Sequence, residues 1–100
     1  MKALGLVAVG TPGIPVPVTE QDIRGATVLV VQARASNKGI LYVGRENLDR
    51  ETLEDVLYEL MGGQVATIPL IERQNSTQPK EYFLDAEDGN GGDAALGDYA

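Results

Sequence analysis

Apolar residues along this 100-residue chain recur mostly at every second position, the period of a strand with one buried face. Leu4, Leu6 and Ala8 alternate with Gly5, Val7 and Val9 and predict a strand over residues 3–9. Thr11-Pro12-Gly13 interrupts this apolar stretch, so it reads as a strand rather than as the apolar region of a signal peptide. Ile14-Pro15-Val16-Pro17-Val18 places apolar residues on one face and prolines on the other. Proline has no N–H to give to a ladder, so this segment is an edge strand or an extended arm. Thr27 to Ala33 is apolar and β-branched on both faces, as in the middle of a sheet. Ser36-Asn37-Lys38-Gly39 then supplies a tight turn, and Ile40 to Gly44 returns, predicting an antiparallel hairpin. Period two resumes over Gln64–Ile71, with Val65 and Thr67 on one face and Ala66, Ile68 and Leu70 on the other. Pro69 marks a bulge or an edge there, and Glu81 to Leu84 forms a further strand.

One segment changes period. Leu53, Val56, Leu57 and Leu60 fall at i, i+3, i+4 and i+7 and predict a short helix over about 50–60, with these four residues in the core. Asp49 or Asn47 can cap its start, Glu51, Glu54 and Asp55 favour the positive end of its dipole, and Gly62-Gly63 stops it. The expected fold class is all-β: a small antiparallel β-sandwich or jelly-roll-like barrel with one short inserted helix. Its length fits one domain over residues 1–100, in which 1–18 is an N-terminal arm or edge strand and 85–100 an acidic, glycine-rich tail.

Composition narrows the chemistry. The chain has no Cys and no His, which removes disulfides, thiolate nucleophiles and imidazole acid–base catalysis, and leaves no Cys/His ligands for zinc. No stretch of about 20 apolar residues is present, so no helix is expected to cross a membrane. The net charge of −7 is uneven: residues 1–50 carry six basic and four acidic side chains, residues 51–100 two basic and eleven acidic. An acidic half of this kind repels phosphates, and nucleic acid is not an expected partner. Asp85, Glu87, Asp88, Asn90 and Asp93 are hard oxygen donors at close spacing, but glycine and asparagine stand in the wrong order for a calcium loop. No nucleophile–base pair and no phosphate-cradling glycine motif is found. The chain therefore reads as non-enzymatic and without a cofactor.

The order of motifs carries a resemblance. Gly10-Thr11-Pro12, Val16-Pro17-Val18 and the strand Val28 to Ala33 precede Asn37-Lys38-Gly39-Ile40-Leu41-Tyr42-Val43-Gly44. Leu60-Met61-Gly62-Gly63-Gln64 and Ala66-Thr67-Ile68-Pro69-Leu70 follow. Over about residues 10–71 the chain resembles small β-sandwich structural proteins of tailed bacteriophages, including capsid decoration (cement) proteins and related head or fibre modules. Gly62 stands where that pattern usually has proline, and the helix expected within residues 45–60 stands where many relatives have a short loop. The resemblance implies a virion protein on the capsid surface that binds the major capsid protein and neighbouring copies of itself, as a dimer or trimer, and stabilises the head. Ile14, Val16 and Val18 are then the candidate partner contacts, through edge-strand pairing. A head–tail, tail or fibre component and a carbohydrate-binding or adhesion module are the alternatives.

Overall fold

The computed structural model describes residues 1–72, 75–87 and 89–100. It is a β-sandwich of two antiparallel four-stranded sheets. Sheet A has the order β1 (Lys2–Ala8), β10 (Ala94–Tyr99), β3 (Val28–Ala33), β6 (Val65–Pro69). Sheet B has the order β2 (Val16–Pro17), β9 (Phe83–Ala86), β4 (Leu41–Gly44), β5 (Val56–Leu60). A small ribbon, β7 (Ile71–Glu72) and β8 (Asn75–Ser76), and a 3-10 turn over Pro79–Glu81 complete it. The period-two patterns explain the packing. Leu29, Val31 and Ala33 of β3 and Ala66 and Ile68 of β6 point inward from sheet A, and Leu41, Val43, Leu60, Leu84 and Ala86 meet them from sheet B. Their burial is the main stabilising term, at roughly 25 cal/mol per Å² of apolar surface removed from water.

Three expectations are corrected. Residues 49–60 do not form a helix. Asp49 does cap a turn, accepting from the Glu51 and Thr52 N–H groups at 2.9 and 3.3 Å, and Leu53 N–H donates to Asp49 C=O at 2.7 Å. The turn ends at once because Leu53 and Asp55 take left-handed φ of 63° and 55°. Val56 to Leu60 then runs as edge strand β5 beside β4. The same residues also obey period two, with Tyr58 and Leu60 turned inward and Leu57 and Glu59 outward. Pairing with β4 outweighs the helical stripe, a tertiary override that local spacing does not register. Of the four stripe residues only Leu60 is buried in the core; Leu53 and Leu57 are about half exposed and Val56 is partly buried.

The second correction concerns the expected hairpin. Strand β3 pairs with β10 and β6, not with β4, so residues 34–40 cross from one sheet to the other. Polar clasps fix that crossing. Asn37 Nδ2 donates to Ala94 C=O and Asn37 Oδ1 accepts from Ala94 N–H, both at 2.8 Å. The Asp93 carboxylate accepts from the Lys38 and Gly39 N–H groups, each at 3.1 Å. A Cβ at Gly39 would meet the end of the Asn90 side chain, which would have to move aside.

The third is the acidic tail. Residues 85–86 complete β9, and residues 94–99 form a strand hydrogen-bonded on both sides, between β1 and β3. Composition over 85–93 concealed the short apolar run Ala94-Ala95-Leu96 that enters the sheet. Arg73, Gln74 and Asp88 lie outside the described residues.

Candidate functional site

The two outer faces of the sandwich differ. Sheet B is roofed by polar loops. In its outward row Asp85 stands beside Tyr42, and Tyr42 beside Glu59. Asp85 is only 1% exposed. Its carboxylate accepts from Gly13 N–H at 2.9 Å and lies 3.9 Å from Arg50 Nε, while Arg50 Nη1 donates to Ala86 C=O at 3.3 Å. The 10–15 and 45–55 loops thus meet over a buried carboxylate. Burial raises the Tyr42 phenol above its ordinary range, and the nearby charges of Glu87 and Glu59 push the same way.

Among the described residues, sheet A is covered at the Ala94 end by the Asn37 clasp and leaves much of the rest of its outer face open. Its register sets Leu6 beside Leu96, Leu96 beside Gln32 and Gln32 beside Val65, across all four strands. Leu6, Leu96 and Val65 are 51%, 44% and 51% exposed. The adjoining row runs Ala3, Asp98, Val30, Thr67, and Val28 lies opposite Pro69. Asp98 is the one acid in these rows, on a chain with fifteen Asp and Glu. The face exists because β1 beyond Lys2, β3 and β6 put apolar or neutral residues on both sides of the strand, where a solvated sheet would alternate apolar with charged.

The sequence-derived contact residues do not come together. Ile14 is exposed, in the loop before β2. Val16 pairs with Leu84 and is partly buried against the core. Val18 is a core side chain, 2% exposed, and its N–H donates to Tyr82 C=O at 2.9 Å. Of the three, Ile14 alone offers an exposed side chain to a partner. Leu6, Leu96 and Val65 were missed: the alternation over residues 3–9 was legible, but its outward half carried no polar residue, and Leu96 fell in the segment read as a tail.

Of the carboxylates considered as calcium ligands, Asp85, Glu87 and Asp93 are engaged within the fold. Asp85 and Asp93 accept the N–H groups named above, and Glu87 accepts from Ile40 N–H at 3.0 Å. An open groove between Arg45, Asp55, Lys80 and Phe83 has mixed charge. Arg45 there pairs with Glu81 at 3.3 Å and sits 5.2 Å from the Tyr82 ring centroid. Beside it, Lys80 lies 3.2 Å from Asp22, and this contact holds the Asp22 carboxyl below the usual carboxylate range. Compared with known proteins, the chain matches no family model, no curated protein and no solved structure.

Proposed function

We propose that the protein is a non-enzymatic structural module of a tailed-bacteriophage virion, a capsid decoration or cement protein that binds the outer capsid surface and stabilises the head. The resemblance in motif order over residues 10–71 supports this reading, and the exposed outer face of sheet A is the observation that supports action by surface contact. An exposed, nearly uncharged sheet face on a strongly acidic chain is a surface kept for a partner. On a lattice each copy needs only a weak contact, because symmetry and neighbours multiply it. The acidic remainder suits the solvent side of such a particle, where like charge keeps particles apart. The tyrosines lend nothing to the carbohydrate-binding alternative: Tyr42 and Tyr82 are buried, and Tyr58 and Tyr99 pack against the core.

The test is the number of copies of this chain per major capsid protein in purified particles, by quantitative mass spectrometry. A ratio near one, or a simple lattice fraction of it, is the expected result. A handful of copies per particle would move the protein to the neck, tail or fibres, and absence would end the virion reading.

A further inference from the structure

We infer that β1 is a self-association edge, at which two copies of this chain pair antiparallel about a two-fold axis and join their A sheets into one eight-stranded sheet. The four sheet edges are unequal. Strand β2 is two residues long and lies between Pro15 and Val18, with Pro17 within it, so it has few N–H groups to offer. Strands β5 and β6 turn toward each other: they are in contact, and the Tyr58 hydroxyl donates to Thr67 C=O at 3.3 Å. Strand β6 also ends in Pro69. Strand β1 is the least protected of the four: a bulge at Ala3–Gly5 and Lys2 blunt its start, but it runs seven residues without proline, Leu6 to Ala8 continue in regular register, and among the described residues its backbone pairs with β10 alone.

A long unpaired edge is a template for another strand. The partner must supply an equal free edge, and a second copy supplies one of identical length; antiparallel pairing about a two-fold axis is self-complementary. Charge points the same way. Two chains of net charge −7 repel, yet β1 holds no acid and one base, Lys2, so this edge lets them meet without setting acid against acid. The joined sheet would also bring both copies of Leu6 and Leu96 onto one face, doubling the apolar surface described above. The inference rests on the capsid reading for its setting, but its test needs only the purified chain.

That test is the solution mass by light scattering over a concentration series, with hydrogen exchange of the residue 2–8 amides. The expected species is a dimer of the 10.6 kDa chain that dissociates on dilution, with β1 amides protected in the dimer and released in the monomer. Leu6→Lys, which sets like charges near the axis, returns the mass to that of a monomer; Thr67→Lys, on the far edge of the same face, leaves the dimer intact. A monomer at every concentration overturns the inference, as does a dimer whose β1 amides exchange at the monomer rate. Either result leaves the copy number in particles, and so the capsid reading, standing; absence from particles would remove the setting without touching the dimer.

Discussion

Replacing Asn37 by Ala opens the clasp that carries the chain from sheet A to sheet B. Ala94, at 1% exposure, is the first residue of β10, and its N–H has Asn37 Oδ1 as its partner. Its C=O also accepts from Arg34 N–H at 3.0 Å, so the carbonyl keeps a partner when Asn37 is cut back. The N–H does not. An orphaned buried donor costs about 1–3 kcal/mol, and losing the second bond, whose acceptor stays satisfied, adds roughly 1 kcal/mol. The total, about 2–4 kcal/mol, is a large part of the stability of a small domain. At about 4–8 °C per kcal/mol the midpoint of thermal unfolding falls by about 10 °C or more. Circular dichroism melts and urea midpoints read the change, with Ser36→Ala, an exposed neighbour, as a control expected within about 0.5 kcal/mol of the parent. An Asn37→Ala protein melting within about 2 °C of the parent would show that the clasp contributes nothing a loop could not replace.

Two further outcomes follow from local geometry. Gly44→Ala should destabilise by about 1–3 kcal/mol in urea unfolding, because its Cβ would overlap the Asp55 carbonyl where β4 and β5 shift register; a neutral result would mean the 45–55 loop moves aside freely. Burial and neighbouring acids raise the Tyr42 phenol in the folded state, so its contribution to stability is complete below its ordinary value near 10 and is lost as pH rises through the raised one. Tyr42→Phe should therefore flatten the alkaline loss of stability, and urea midpoints that fall in parallel for both proteins would contradict this.

The strands were legible where one periodicity stood alone. Val28–Ala33, with both faces apolar, reads as a central strand and is one, flanked by β10 and β6. Over Val65–Pro69 the inward and outward residues fall as the alternation requires. Residues 53–60 satisfied two periods at once, and the deciding term was the unfilled edge of β4, which lies in another part of the chain. The link from Asn37 to Gly39 failed for a related reason. Its turn chemistry is real, but the groups that orient it, Asp93 and Ala94, stand more than fifty residues away. The contact surface was the least legible feature. Leu6, Leu96 and Val65 are far apart in sequence and become one row only through the β1–β10–β3–β6 order.

Capsid binding, as proposed above, is open to a direct test. Particles assembled without it should release their DNA at a lower temperature than complete ones, and adding the purified chain back should restore the higher value as it binds. A purified chain that does not bind those particles, or binds and leaves the release temperature where it was, would rule out the proposed capsid role.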